Sequence, residues 1–131
     1  QHSIVRSTQF FEFLKGIANS AAKDSEIHLA PAGIQPIASD DVASAVANVA
    51  AGSPLNGTVE IAGPASFTLP ELVSLYLAMV EDPRTVVPDP DARYFGAVLS
   101  TNSLLPGAGA RLGKIDFETW IRTILVTLPG A

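Results

Sequence analysis

The chain contains no cysteine, which excludes disulfide bonds and thiolate metal sites. It also has only two histidines, His2 and His28, so a metal centre or a catalytic triad has few side chains to draw on. We assign neither histidine a role, and we expect no metal site and no catalytic residue. A small hydrolase or a metal enzyme is disfavoured, because no set of nucleophile, histidine and acid can be assembled.

Basic residues are scarce as well: 8 Lys and Arg stand against 13 Asp and Glu, a net charge of −5. They are scattered from Arg6 to Arg122 and form no patch, which argues against binding to a nucleic-acid backbone. No apolar run approaches the length of a membrane helix, so we expect no membrane partner. The lack of cysteine fits a reducing compartment, and we expect a cytoplasmic location.

A phosphate-binding loop is missing too. The sequence has no G-x-G-x-x-G or Walker-type motif, and its nearest approach, Gly107-Ala108-Gly109, lacks the preceding strand and the following helix. We therefore expect no cofactor to be held by this chain alone.

The clearest structural pattern lies in residues 34–52, where a short apolar segment runs into a helical repeat. The repeat consists of small apolar residues at helical spacing: Val42, Val46, Val49 and Ala50. Ser39 or Asp40 is placed to cap the helix, Asp41 to meet the positive end of its dipole, and Gly52 to end it in a left-handed conformation. We predict a buried helix on a parallel sheet. A catalytic Asp40–Asp41 pair is the less favoured alternative.

The remaining patterns predict an α/β fold. Strands are predicted near residues 2–7, 26–30, 58–63 and 85–87. Helices are predicted after Thr8, which is the expected cap of the first one, from a Thr68–Glu71 capping box to about residue 81, and after Asp116. Residues 93–99 are β-prone, and residues 100–113 are predicted to be a loop. The whole of residues 1–131 is thus predicted to be one domain with a short parallel or mixed sheet and about four helices.

Aromatic residues cluster in two places and suggest a pocket. Phe10, Phe11, Tyr94 and Phe95 can line an apolar cavity in which Gln9 supplies an orienting polar group. The alternative is ordinary packing, with Phe10 in the core and the others at its boundary.

Four segments occur in an order that is typical of one protein family. They are residues 3–6 with the helix that follows, residues 35–43 (QPIASDDVA), residues 57–64 (GTVEIAGP) and residues 67–72 (FTLPEL). They lie between residues 3 and 72 of the chain. In this order they resemble the C-terminal half of an NmrA-like, atypical short-chain dehydrogenase/reductase.

The resemblance implies a partial Rossmann-like fold that corresponds to the substrate-side lobe, with the N-terminal dinucleotide-binding half absent. In the family, that half carries the glycine-rich loop, and a full-length relative binds NADP or NAD. The corner after the first strand lies beside the nicotinamide, so the resemblance implies cofactor-binding positions at Ser7, Thr8, Gln9 and Phe10. It also implies substrate-binding positions at Phe11, Tyr94 and Phe95.

Two functions follow as hypotheses. The first is the substrate-side lobe of an NmrA-like NAD(P)-binding oxidoreductase-like protein, which is not catalytically competent without its cofactor half. The second is a stand-alone, dimeric module that binds a small apolar ligand or a protein partner. In the second case, homodimerisation would cover strand edges that have lost their neighbours.

Overall fold

Short strands alternate with helices over the residues that the computed structural model describes, 3–52 and 57–127. The strands are β1 (Ser3–Ser7), β2 (Ala22–Lys23), β3 (Glu26–Leu29), β4 (Gly33–Ile34), β5 (Gly57–Ala62), β6 (Phe67–Thr68), β7 (Thr85–Pro88) and β8 (Arg111–Leu112). The helices are α1 (Leu14–Ser20), α2 (Ser39–Ala51), α3 (Leu69–Met79) and α4 (Phe117–Thr127), and a 3₁₀ helix, Phe11–Phe13, precedes α1. The prediction of an α/β fold with about four helices is confirmed for this part of the chain.

The strands form three small sheets rather than one. The first has the order β1-β5-β8 and is parallel throughout, with Ser3 opposite Gly57 and Ser7 opposite Ile61. The second has the order β2-β3-β7, in which β3 and β7 are parallel and β2 is antiparallel. The third is the antiparallel pair β4-β6. The sheets are therefore mixed overall, as predicted.

One hydrophobic core joins these pieces. Helix α3 packs against α1, β3, β6 and β7, and it carries buried residues at helical spacing: Leu69, Leu72, Val73, Tyr76 and Leu77. Phe11 and Trp120 stack on each other at 5.4 Å between ring centroids, which joins the 3₁₀ helix to α4. Among the described helices, none combines the length and the apolar character required to cross a membrane.

The start of α3 confirms the predicted capping box. The Thr68 hydroxyl accepts a hydrogen bond from the Glu71 amide at 3.3 Å, and the Glu71 carboxylate accepts one from the Thr68 amide at 3.4 Å. The helix ends at Met79, two residues earlier than predicted, because Glu81 adopts a left-handed φ of 59° and the chain turns there.

The predictions for α2 are wrong in three respects. The helix has no fully buried residue, and Val46 is 46% exposed. Its N-cap is Ala38, and neither Ser39 nor Asp40 forms a side-chain cap. Gly52 is extended rather than left-handed. Small residues at helical spacing therefore produced the helix without the predicted burial.

Two other local predictions are corrected. Thr8 does not cap the first helix, because its hydroxyl donates to the Gln35 carbonyl and the chain forms a 3₁₀ turn before α1 begins at Leu14. The β-prone residues 93–99 form a tight turn with a single bridge, Tyr94 to Ala97, instead of a strand. In both places, tertiary hydrogen bonds and turn geometry prevail over local propensity.

Candidate functional site

The corner after β1 is held rigidly by three hydrogen bonds. The Thr8 amide donates to the Ile61 carbonyl at 3.0 Å, and the Thr8 hydroxyl donates to the Gln35 carbonyl at 2.5 Å. The Gln35 side chain in turn donates to the Gly63 carbonyl at 2.7 Å. Hydrogen bonds thus connect the corner to the segment before α2 and to the end of β5.

Two further backbone hydrogen bonds connect the residues after the corner to Ile37, just before α2. The Ile37 amide donates to the Gln9 carbonyl and the Phe11 amide donates to the Ile37 carbonyl, both at 2.9 Å. The backbone of Gln9 is therefore fixed, while its side chain lines a groove beside α1.

This groove, which we call the α1 groove, has a volume of about 750 Å³. Its lining residues come from the corner after β1, from the 3₁₀ helix, from α1 and from the 94–97 turn: Gln9, Glu12, Phe13, Lys15, Gly16, Asn19, Tyr94 and Phe95. The size is that of a small-molecule site. Three residues singled out from the sequence, Gln9, Tyr94 and Phe95, line this groove together, although Tyr94 and Phe95 are 85 and 86 positions after Gln9 in the chain.

The other predicted site residues lie elsewhere. Ser7 is exposed at the end of β1, and Thr8 is engaged with Gln35. Phe10 stacks on Phe13 at 5.5 Å without lining the groove itself. Phe11 is 1% exposed and belongs to the core. Of the four positions assigned to a cofactor, Gln9 is the one that lines the α1 groove.

Glu12 has a role in the structure that was not predicted from the sequence. Its carboxylate accepts hydrogen bonds from the Ser39 amide at 3.2 Å, the Ser39 hydroxyl at 2.8 Å and the Trp120 indole at 3.2 Å. It supplies from outside the helix the anion that the start of α2 requires. No local pattern reveals this, because the partners are 27 and 108 residues away.

Two lining residues have distinctive electrostatics. Burial raises the pKa of the Tyr94 phenol above its ordinary value of 10.0, so the hydroxyl is neutral at physiological pH and can donate a hydrogen bond. The ammonium group of Lys15 forms no hydrogen bond or ion pair with any residue in the described part of the chain. The groove therefore offers aromatic surface together with an unengaged ammonium group.

The acidic pair at the start of α2 has a structural arrangement. Asp41 accepts hydrogen bonds from the amides of Lys114 and Ile115 at 2.9 and 2.8 Å and thereby holds the segment before α4. Asp40 is exposed. The two carboxylates therefore have different surroundings, which does not favour paired acid–base catalysis.

The histidines form neither a catalytic centre nor a metal site among the described residues. His28 contacts Glu26 at 3.0 Å and Asp89 at 3.4 Å, and His2 lies outside the described residues. Within residues 3–52 and 57–127, no group of three or more His, Asp and Glu residues is arranged to hold a metal ion.

The glycine-containing loop before β8 lines a second cavity of about 400 Å³. The Gly107 amide, the kind of donor that a phosphate loop presents to its ligand, donates instead to the Glu60 carboxylate at 2.7 Å. An internal anion thus occupies this donor.

Comparison of the chain with protein-family models and with curated proteins gives no match. The assignment of a function therefore rests on the motifs of the sequence and on the geometry described above.

Proposed function

We propose that this chain is the substrate-side lobe of an NmrA-like NAD(P)-binding oxidoreductase-like protein and that it does not catalyse a reaction without a dinucleotide-binding half. In this proposal the lobe has a partial Rossmann-like fold. The lobe contributes the α1 groove as a substrate site, and the cofactor binds chiefly to the other half. The ordered motifs in residues 3–72 are the sequence basis of the proposal.

The observation that carries the proposal is the incomplete covering of the parallel sheet. Parallel sheets are normally buried on both faces. In this chain β1 lies at the edge of the β1-β5-β8 sheet, helix α2 contacts it, and Ile4, the second residue of β1, is 46% exposed. An additional layer or additional parallel strands would bury this apolar surface, which is what a dinucleotide-binding half supplies.

A stand-alone small-ligand module is the second candidate, and the α1 groove favours it. The lining residues lie within one chain, so the groove needs no cofactor half to be formed. A second copy pairing at β1 would cover the same exposed surface.

Light scattering after size-exclusion chromatography, combined with titration of NADPH and NADH, tests the proposal. Trp120 is the single tryptophan, and its indole contacts Glu12 at the edge of the α1 groove, so its fluorescence reports on binding there. We expect no saturable response to either nucleotide. Saturable binding would contradict the proposal, because the chain would then build a cofactor site unaided.

The variant Ile4→Lys separates the two candidates, with Leu75→Lys on α3 as the control at a similarly exposed apolar residue. A lobe that lacks its other half is expected to be a monomer that associates weakly at high concentration, and Ile4→Lys should suppress that association. A stable dimer that binds neither nucleotide, and that dissociates in the Ile4→Lys variant but not in Leu75→Lys, would favour the stand-alone module.

A further inference from the structure

The turn that contains Tyr94 and Phe95 has a left-handed backbone conformation at Phe95, which asparagine or glycine adopts more readily than phenylalanine. Phe95 and Gly96 have positive φ values of 48° and 86°, and the flanking Tyr94 and Ala97 exchange backbone hydrogen bonds of 2.8 and 2.9 Å. Two successive positive φ values define a hairpin turn in which asparagine followed by glycine is preferred. A bulky aromatic side chain at the first position is unusual, and such outliers concentrate where a side chain has a function.

The result of this turn is an aromatic ring displayed at the α1 groove. Phe95 is 63% exposed and meets the Tyr94 ring edge-on, with 4.8 Å between centroids. Phe13, which is also exposed, lines the same groove, and its ring stacks on the ring of Phe10. The groove therefore presents three aromatic rings, two of which remain largely uncovered by the protein.

The polar and charged side chains of the groove differ in whether they are free to bind a ligand. The carboxylate of Glu12 already accepts bonds from Ser39 and Trp120. Asn19 accepts a bond from the Arg84 guanidinium at 3.0 Å. Lys15 has no partner in the described part of the chain, so its ammonium group is the charge that a ligand can engage.

We propose that the α1 groove binds a planar aromatic molecule that carries an anionic group, with the rings against Phe13, Tyr94 and Phe95 and the anion on Lys15. This inference rests on the proposed function in that it names the ligand class of the same groove. Apolar rings are recognised by aromatic stacking, and the ammonium group of Lys15 in the groove lining selects the negative charge.

Two naphthalene dyes that differ in charge test the proposal on the full chain. 1-Anilinonaphthalene-8-sulfonate is the anionic probe, and N-phenyl-1-naphthylamine has the same rings without the sulfonate. Dye fluorescence gives both dissociation constants. We expect the anionic dye to bind about threefold more tightly, the scale of a partly exposed ion pair. Lys15→Gln should remove this preference and leave the neutral dye unaffected, whereas Lys23→Gln on β2, outside the groove, should change neither.

Phe95→Asn tests the aromatic contribution and controls for folding. The variant should weaken both dyes by about tenfold, the scale of one lost aromatic contact. It should also raise the urea midpoint of unfolding, because asparagine suits a φ of 48°. Loss of binding with gain of stability cannot come from an unfolded variant. Leu75→Asn, an exposed apolar residue on α3, should leave both dissociation constants unchanged.

Three results would overturn the proposal: no saturable binding of either dye, equal affinities that Lys15→Gln leaves equal, or binding that Phe95→Asn does not weaken. These failures are distinct from failure of the proposed function. NADPH and NADH also carry aromatic rings and anionic groups, so their binding is repeated with Lys15→Gln. Saturable nucleotide binding that Lys15→Gln leaves unchanged would refute the lobe assignment while leaving the dye result intact. If the dyes do not bind, the proposed ligand class is refuted, but the nucleotide titration and the association measurements still test the proposed function.

Discussion

Replacing Glu12 with alanine should destabilise the whole chain, although Glu12 lies in an exposed position. Its carboxylate joins the 3₁₀ helix to the start of α2 through Ser39 and to α4 through the Trp120 indole. Loss of an N-terminal cap costs about 1 kcal/mol. Leaving the indole N–H of Trp120, a residue that is only 8% exposed, without a partner costs roughly 1–2 kcal/mol more.

The expected loss for Glu12→Ala is therefore about 2–3 kcal/mol, a large share of the stability of a typical domain. Urea unfolding followed by Trp120 fluorescence measures it as a lower midpoint at an unchanged slope. Glu12→Gln keeps one amide oxygen as an acceptor and should lose about half as much. A double-mutant cycle with Ser39→Ala should give a coupling energy of about 0.5–1 kcal/mol.

Glu118→Ala is the matched control. Glu118 also carries a carboxylate on a helix, but among the described residues its side chain pairs only with the exposed Arg122 one turn later, an interaction worth about 0.3–0.5 kcal/mol. If Glu12→Ala changed the free energy of unfolding no more than Glu118→Ala does, Glu12 would not connect the three elements energetically, and the reasoning would be refuted.

Three further predictions concern stability, each checked by urea unfolding. Phe11→Ala should cost about 3–5 kcal/mol, because the ring is fully buried; a loss below about 1 kcal/mol would contradict its place in the core. Gly63→Ala should destabilise strongly, since a Cβ there would overlap a neighbouring backbone carbonyl, whereas Gly16→Ala, with open space around it in α1, should be neutral or stabilise by up to about 1 kcal/mol. Hydrogen bonds from Arg84 hold the pKa of Asp82 below its ordinary value of 3.8. The stability that Asp82 contributes is thus complete above that value and lost as pH falls through the lowered pKa, so Asp82→Asn should be less stable than the parent at pH 7 but not at about pH 2.

Elements whose stabilising contacts lie within a few residues were predictable. Thr68 and Glu71 are three positions apart, and their reciprocal bonds depend only on the start of α3. The strand near Glu26–Leu29 followed from alternation, with Ile27 and Leu29 buried. The first helix was less predictable, since the contact between Thr8 and Gln35 removed the expected cap.

The candidate site was partly predictable for the same reason. Gln9, Tyr94 and Phe95 were recognisable as pocket-forming residue types, and the structure places them around one groove. The roles of Glu12 and Lys15 were not recognisable, because one depends on partners 27 and 108 residues away and the other on the absence of a partner among the described residues. Phe11 and Phe10 are neighbours in sequence, yet one is core and the other is not.

The sequence by itself determined the α/β class, the positions of α2 and α3, the strand at Thr85–Pro88 and the absence of a glycine-rich phosphate loop. These depend on hydrophobic period and on short-range capping, which act between residues close in the chain. Only the tertiary structure decided that α2 is half exposed, that Glu12 caps it and that the 94–97 turn meets α1. Those features arise from contacts between distant segments, whose relative positions no local pattern encodes.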